Sequence, residues 1–278
     1  MAMRVSTVIL PIYRWAVAAD VWRRAEELGC HAAYTYDHLS WREPFRDGTW
    51  FGAVPTLTAA ATVTSRLRLG TMVTSPNFRH PVPLAKDLMS VDDVSGGRLT
   101  VGVGSGGTGF DARVLGAEPW SPRERADRFA EFVPLLDRLL REPTTTDTGR
   151  YYSAHEARMV PGCVQRPRVP LYVAATGPRG LALATRYGDG WVTTADDPAD
   201  EIARLAAACA DAGRDPAGLD RVVLTGFGPL PDSPAGFVDL AGRYAELGVT
   251  ELVVHWPVPD TQFAMDQGLF ERVVTALT

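Results

Sequence analysis

The sequence predicts an α/β protein whose strands and helices alternate and close into a (β/α)8 TIM barrel. Short apolar runs alternate with amphipathic segments along the whole 278-residue chain. The apolar runs lack the in/out alternation of a half-exposed sheet, which indicates parallel strands covered on both faces. A doubly wound open sheet is the competing arrangement. The even spacing of the units and a length near the roughly 250 residues of one barrel favour a single barrel domain over residues 1–278.

One strand–helix–strand unit, residues 67–107, shows the pattern most clearly. Leu67–Val73 and Leu99–Val103 are rich in β-branched residues, and both runs stop abruptly at loop-forming residues. Between them, Pro81 occupies the first position of a helix whose apolar residues have helical spacing (Leu84, Leu88, Met89 and Val91). The two runs are predicted to be adjacent parallel strands, and their carboxyl ends are where such a fold binds ligands.

The other elements follow from the same signals in chain order. A strand at Val5–Leu10 precedes an amphipathic helix at Trp15–Leu28, which Gly29 ends. The second strand, Ala32–Tyr36, leads through a long polar loop into a helix over Pro55–Thr64. The later strands are Leu171–Ala175, Trp191–Thr194, Val222–Phe227 and Leu252–His255, and the later helices are Pro122–Leu140, Leu181–Tyr187, Ile202–Ala212, Ala235–Leu247 and Leu269–Leu277.

The stretch Arg141–Pro170 interrupts this alternation. It has no clear hydrophobic period and is rich in proline. A connection of this length inside a barrel is typical of a lid or an excursion from the fold. We therefore predict an excursion before the fifth barrel strand, with room for a short hairpin.

Composition excludes several classes of function. A formal charge of −5 and arginines scattered through the chain give no basic surface for nucleic acid. The sequence has no run of 18 apolar residues, so we expect no membrane span. Cys30, Cys163 and Cys209 lack a C-x-x-C pair and the histidines lack metal-ligand spacing, so we expect neither a disulfide framework nor a metal site. The N-terminus resembles a signal peptide, but Pro11 and Arg14 interrupt its apolar core, and a cytoplasmic location is expected.

His38 is the leading candidate for proton transfer. It stands at the end of the second strand, on the face where barrel enzymes keep their reactive groups. An imidazole has a suitable pKa for exchanging protons near neutral pH. Neighbouring strand residues point to opposite sides, so Asp37 is not expected to orient His38. A histidine that merely caps the loop is the alternative interpretation.

Two loops are candidates for holding a ligand. Gly102–Gly107 matches G-x-G-x-x-G, which after a strand can be a dinucleotide fingerprint, but the segment some 20 residues on is helical. A glycine-rich loop that lets the backbone approach a ligand fits better. Thr176-Gly177-Pro178-Arg179-Gly180 lies between a strand and a helix, so its amides and the Arg179 side chain predict an anion site. A plain turn is the alternative for this second loop.

Arg79 and several tryptophans are candidates for contacting a substrate. Arg79 follows the third strand, where it could hold an anion or pair with Asp37 or Glu43. Tryptophans fall in loops or at strand ends, which suits a flat ring system as well as ordinary packing (Trp15, Trp41, Trp50, Trp120 and Trp256). We expect Trp50, Arg79, Trp120 and Trp256 to line the substrate site.

Taken in order, several of these segments resemble the luciferase-like monooxygenase superfamily, whose members bind flavin or deazaflavin on a (β/α)8 barrel. The resemblance covers about two thirds of the chain. The segments that carry it are Tyr36-Asp37-His38, Ser65–Thr71, Val73-Thr74, Arg79-His80-Pro81, Ser95–Leu99, Gly102-Val103-Gly104, Ala175–Pro178, Ala184 and Asp189-Gly190-Trp191.

The resemblance implies a cofactor, FMN or coenzyme F420, that lies across the strand ends. His38 and Trp41 would act at its ring, and the ring would lie against a bulge or cis peptide bond at Met72-Val73. Where related deazaflavin enzymes have an acidic residue after the fourth strand, this chain has Gly107, and Asp111 is the nearest acid. The residues implied in cofactor binding are Asp37, Met72, Val73, Thr74, Gly104, Ser105, Gly106, Gly107, Thr176, Gly177, Pro178, Arg179 and Gly180.

The two cofactors imply different chemistry. The His-Pro pair and the short chain resemble the deazaflavin group, which implies hydride transfer between F420 and a small organic substrate. An FMNH₂-dependent monooxygenase that inserts one oxygen atom from O₂ is the alternative, and a barrel that binds flavin without turnover is a second one. A homodimer is compatible with the resemblance.

Overall fold

The computed structural model describes residues 3–278 and contains the predicted closed barrel of eight parallel strands. The barrel strands are β1 (Arg4–Val8), β2 (Ala32–Thr35), β3 (Arg68–Thr74), β4 (Leu99–Gly104), β7 (Leu171–Ala174), β8 (Gly190–Thr193), β9 (Asp220–Leu224) and β10 (Glu251–His255), and β5 (Thr144–Thr148) and β6 (Ser153–Arg158) form a separate antiparallel pair. The strands follow chain order around the barrel, and β1 closes it by pairing with β10. The predictions that β3 and β4 are parallel neighbours and that the barrel is closed are both confirmed.

Helices cover the outside of the barrel and connect successive strands. They are α1 (Trp15–Glu27), α2 (Ala53–Val63), α3 (Pro81–Val94), α4 (Asp111–Val114), α5 (Pro122–Arg141), α6 (Pro178–Tyr187), α7 (Ala199–Asp211), α8 (Pro234–Glu246) and α9 (Gln267–Leu277), with a 3₁₀ turn at Pro216–Gly218. Two details differ from the sequence prediction and affect the site. The short helix α4 was not predicted, and α6 begins at Pro178 instead of Leu181.

Buried side chains form two cores, as the apolar strands predict. Along β10, Leu252 and Val254 pack outward against the helices, while Val253 between them packs inside the barrel. This alternation follows from the two-residue period of a strand, and both directions are buried because helices cover the outer face. Polar side chains can therefore reach a ligand only at the ends of the barrel.

The excursion contains the hairpin of β5 and β6, and it packs on the outside of the helical layer. Glu131 of α5 accepts hydrogen bonds from the backbone N–H groups of Arg150, Tyr151 and Tyr152. Lys86 of α3 donates to the carbonyl oxygen of Arg158. The excursion is therefore anchored to α3 and α5.

Glu26, near the end of α1, holds the loop that enters β3. Its carboxylate accepts hydrogen bonds from the N–H groups of Ser65, Arg66 and Leu67 at 2.8–3.0 Å. Partial burial alone would raise the pKa of Glu26, but these backbone hydrogen bonds outweigh burial and lower the pKa to about 2. The charged form therefore stabilises the fold at neutral pH.

We expect Glu26→Gln to lower the free energy of unfolding by about 1–3 kcal/mol at pH 7, because a charged acceptor of several hydrogen bonds is lost. Since the folded-state pKa lies below the ordinary 4.5, this contribution is present above pH 4.5 and is lost as pH falls towards 2. Urea unfolding at pH 7 and at pH 3 measures the difference. Glu27→Gln, at the exposed neighbouring position, is the control and should change stability by about 0.5 kcal/mol or less.

Candidate active site

Two connected cavities open at the carboxyl ends of the barrel strands. The mouth cavity, about 310 Å³, lies over the barrel centre, and the α6 cavity, about 460 Å³, lies beside the start of α6. Ala174, Val192 and Thr194 line both cavities and so join them. The residues predicted to share one rim, Asp37, Thr74, Ser105 and Thr176, all lie at or just beyond the carboxyl ends of their strands, which confirms that prediction.

Val73 forms part of the floor of the mouth cavity. The Met72-Val73 peptide bond is cis and the register of β3 against β4 shifts between Thr71 and Thr74, as predicted for this position. The Val73 side chain lies over Gly102 and Gly104. A Cβ atom on Gly102 would lie 2.9 Å from Val73 Cγ1, and one on Gly104 would lie 2.8 Å from Val73 Cγ2.

These contacts explain the glycine pattern in β4. Gly104, expected to contact the cofactor, is covered by Val73 and lines neither cavity. Gly106 has a φ of +75° and packs against Asn77, whose amide donates to the carbonyl oxygen of Gly107. Of the predicted loop residues, Ser105 lines the α6 cavity. Close packing therefore accounts for Gly102, Gly104 and Gly106, whereas a Cβ atom on Gly107 would meet no atom closer than 3.9 Å.

His38 lines the mouth cavity and is oriented by Asp111. The Asp111 carboxylate contacts His38 Nδ1 with one oxygen, and its other oxygen accepts from the N–H groups of Leu39 and Ser40 at 2.7 and 3.0 Å. Asp111 is 4% exposed. A carboxylate at Nδ1 favours the tautomer with hydrogen on that nitrogen, which leaves Nε2 as an acceptor. The sequence indicated Asp111 only as the nearest acid in this loop, and α4 brings it to His38.

An aromatic wall stands beside His38. Trp41 lines the mouth cavity, with its ring centroid 6.2 Å from that of His38 and 5.8 Å from that of Phe263. Trp50 stacks on Trp41 at 6.0 Å and donates its indole N–H to the carbonyl oxygen of His38. Trp50, expected to contact substrate, instead supports the loop that carries His38 and Trp41.

Asp37 and Arg79 bind each other. The guanidinium donates to both carboxylate oxygens, at 3.0 and 2.7 Å, and Thr74 donates its hydroxyl to the same carboxylate at 2.5 Å. Asp37 is 1% exposed. These contacts satisfy a buried carboxylate, which requires such donors. The expected roles of Asp37 and Thr74 in cofactor binding and of Arg79 in substrate binding stay predictions.

Tyr36 and His255 form a neutral pair beneath the mouth cavity. The Tyr36 hydroxyl lies 2.7 Å from His255 Nε2, and the imidazole stacks on Phe263 at 3.7 Å. Burial lowers the pKa of His255 to about 3, and burial raises the pKa of Tyr36. His255 therefore stays uncharged at neutral pH, so His38 is the histidine available for proton transfer at the cavity.

The loop before α6 lines the second cavity as predicted. Thr176, Gly177, Pro178, Arg179 and Gly180 all border it. Pro178, the first residue of α6, has no N–H, and the Leu181 N–H donates to the carbonyl oxygen of Gly177 at 3.0 Å. The N–H groups of Arg179 and Gly180 therefore remain at the start of α6 to bind an anion. The Arg179 guanidinium lies 2.7 Å from a carboxylate oxygen of Asp127 and is half exposed. Its positive charge is therefore shared between Asp127 and the cavity.

Two predicted substrate residues lie elsewhere. Trp256 is 6% exposed and packs against Phe270 of α9, because it follows the inward-facing His255 and so points outward. Trp120 stacks on the Arg128 guanidinium, 3.8 Å from its ring centroid, in the segment before α5. Both placements correct the expectation that these rings line the substrate site.

No helix within residues 3–278 is long and apolar enough to cross a membrane. The same residues contain no group of three or more His, Cys, Asp or Glu side chains arranged to hold a metal ion.

The structure combines a closed (β/α)8 barrel with a histidine that is oriented at the mouth of a cavity. A family profile described as luciferase-like monooxygenase matches residues 3–235. The chain therefore belongs to the luciferase-like monooxygenase family.

Curated relatives include an F420-dependent glucose-6-phosphate dehydrogenase of Beutenbergia cavernae, 41% identical over 175 residues, which are 61% of this chain and 50% of the relative. An F420-dependent hydroxymycolic acid dehydrogenase of Mycobacterium tuberculosis is 34% identical over 202 residues, 71% of this chain and 54% of the relative. The chain thus spans about half the length of these relatives.

Solved structures share the whole fold. An F420-dependent secondary alcohol dehydrogenase, in complex with an F420-acetone adduct, superimposes with a TM-score of 0.83 at 22% identity over 100% of both chains. The F420-dependent tetrahydromethanopterin reductase of Methanopyrus kandleri gives 0.78 at 20% identity, over 100% of this chain and 97% of that one. At these identities the likeness establishes the fold alone.

The Asp37–Arg79 ion pair is expected to stabilise the fold. We expect Arg79→Leu to destabilise the fold by about 2–4 kcal/mol, because it leaves a buried carboxylate with too few donors. Asp37→Asn/Arg79→Leu removes that charge and should recover part of the loss in urea unfolding. If Arg79→Leu left stability unchanged and weakened substrate binding, the role of Arg79 would be to bind substrate.

Proposed function

We propose that the protein is an F420-dependent oxidoreductase that transfers a hydride between the deazaflavin and a carbon atom of a small alcohol or ketone. The main support is the His38–Asp111 pair at the mouth cavity, which provides a proton-exchanging group where a carbonyl or hydroxyl oxygen would lie. The names of the relatives, which are F420-dependent dehydrogenases, support the same cofactor and class of reaction.

The two cavities fit the parts of a deazaflavin. Met72, Val73 and Trp41 give the mouth cavity apolar surfaces suited to a flat ring. The unpaired N–H groups at the start of α6, with Ser105 and Arg179, suit the phosphate-bearing tail. When bound, the deazaflavin supplies or accepts the hydride.

His38 would handle the proton that accompanies the hydride. In alcohol oxidation the hydride leaves the carbon atom while His38 Nε2 takes the hydroxyl proton, and in carbonyl reduction both move in the opposite direction. Asp111 holds the ring with Nδ1–H towards the carboxylate and stabilises the protonated imidazole.

Cofactor titration tests the proposal and its main alternative. The quenching of tryptophan fluorescence, which Trp41 should report, is measured with F420, F420H₂, FMN and FMNH₂. We expect the deazaflavin forms to bind more tightly, and a panel of secondary alcohols to reduce bound F420 without consuming O₂. Tighter binding of FMNH₂ with O₂ uptake would favour a monooxygenase, and binding without any turnover would favour a non-catalytic flavin-binding barrel.

Replacing the proton-exchanging pair tests the mechanism. We expect His38→Ala to lower turnover by about 10²-fold or more with little loss of F420 affinity, since general acid–base catalysis contributes about that much. Asp111→Asn should lower turnover by about 10- to 100-fold at nearly unchanged KM, and Asp111→Glu should restore part of it. Asp47→Asn, an exposed position of the same loop region, is the control. Full turnover in His38→Ala would assign His38 to loop capping.

The α6 cavity gives a separate test of cofactor binding. We expect Arg179→Ala to weaken F420 binding by roughly tenfold, and more at low salt, because the guanidinium is half exposed. Arg186→Ala is the matched control, since Arg186 is on the same helix but does not line this cavity. Calorimetry gives both affinities. Unchanged F420 affinity in Arg179→Ala would show that Arg179 pairs with Asp127 and does not contribute to cofactor binding.

A further inference from the structure

Arg42 stands at the edge of the mouth cavity, in the loop between β2 and α2. Among the described residues that line this cavity, Arg42 is the one whose side chain carries a permanent charge. Most of the lining is apolar or aromatic, including Met72, Leu224 and Phe227. A single cation in such a lining is a determinant of specificity, because a few polar groups fix a ligand in an apolar pocket.

The contacts of Arg42 leave its hydrogen-bonding edge available. The guanidinium carbon lies 5.0 Å from the ring centroid of Trp41 and 5.6 Å from that of Phe227, within cation–π range. One amino group reaches the side-chain oxygen of Gln262 at 3.4 Å, a weak contact. Within residues 3–278, no carboxylate is paired with this guanidinium, whereas Arg79 and Arg179 at the same rim each have an acidic partner.

The position of Arg42 is fixed by its surroundings. The Phe45 N–H donates to the carbonyl oxygen of Arg42 at 3.0 Å, which closes a tight turn. The two aromatic rings hold the guanidinium across the cavity mouth, between the loops after β2 and β9. The positive charge of Arg42 also acts on Tyr36 inside the barrel. Burial raises the pKa of the Tyr36 hydroxyl, and the charge of Arg42 offsets part of that rise.

We propose that Arg42 binds the carboxylate of the substrate, so that the substrate is a hydroxy acid or keto acid with an apolar body. This inference rests on the proposed function for the reacting alcohol or carbonyl, which would lie at His38. The carboxylate would accept in-plane hydrogen bonds from the guanidinium, and the apolar body would contact the rings and aliphatic side chains of the cavity.

Binding of unreactive probes tests this role without depending on turnover. Cyclohexanecarboxylate and cyclohexanecarboxamide have the same body and differ in charge, and acetate has the charge without the body. Calorimetry is performed on the cofactor-free protein and on protein saturated with F420. We expect the acid to bind about fivefold or more tightly than the amide and than acetate, with a smaller difference at high salt because Arg42 is exposed.

Two variants test whether the preference for the acid over the amide comes from Arg42. Arg42→Gln should abolish the preference for the acid over the amide, whereas Arg46→Gln should keep it. Arg46 is a matched control because it belongs to the same loop, is exposed, and lies over a ring, that of Phe110, without lining the mouth cavity.

Equal binding of acid and amide by the parent protein, failure of the acid to bind, or a preference that survives in Arg42→Gln would each overturn the proposal. Failure of F420 to bind would contradict the proposed function alone, because the cofactor-free titration still decides the role of Arg42. If acetate bound as tightly as cyclohexanecarboxylate, the inference that the substrate has an apolar body would be wrong.

Discussion

The close approach of β3 to β4 around Val73 determines the shape of the site. Where the register of the two strands shifts, Val73 lies on Gly102 and Gly104, and any side chain on either glycine would occupy the same space. Val73 is thereby held as part of the cavity floor. The same arrangement leaves Thr74 beneath the rim, where it donates to Asp37. Packing between two strands thus sets both the floor of the cavity and the position of the neighbouring ion pair.

Two adjacent residues, Asp37 and His38, are given separate partners by different loops. Asp37 is neutralised by Arg79 from the loop after β3, and His38 is oriented by Asp111 from the loop after β4. Buried carboxylates need such donors, because an unpaired one costs several kcal/mol. With Asp37 engaged on its own cation, Asp111 is the carboxylate that contacts His38. This separation leaves one oriented imidazole, that of His38, at the mouth cavity.

Most of the fold was accessible from the sequence, because strand and helix signals are local. The β-branched runs and the Gly and Pro positions that end elements predicted the order of the barrel and most boundaries within a few residues. The differences arose where local signals are weak. The one-turn helix α4 has too few residues for a hydrophobic period, and Pro178 at the start of α6 marks a first turn that lacks the apolar spacing of Leu181–Tyr187.

By itself the sequence determined the barrel, the rim that carries the site, and His38 and Trp41 as residues of that rim. Only the tertiary structure decided which side chains meet there. Asp111 reaches His38 from 73 residues away in the chain, and Arg79 binds Asp37 from 42 residues away. No local pattern encodes such pairs, because they depend on how neighbouring strand ends converge. Trp256 points outward for the complementary reason, since a shift of one position along a strand reverses the direction of a side chain.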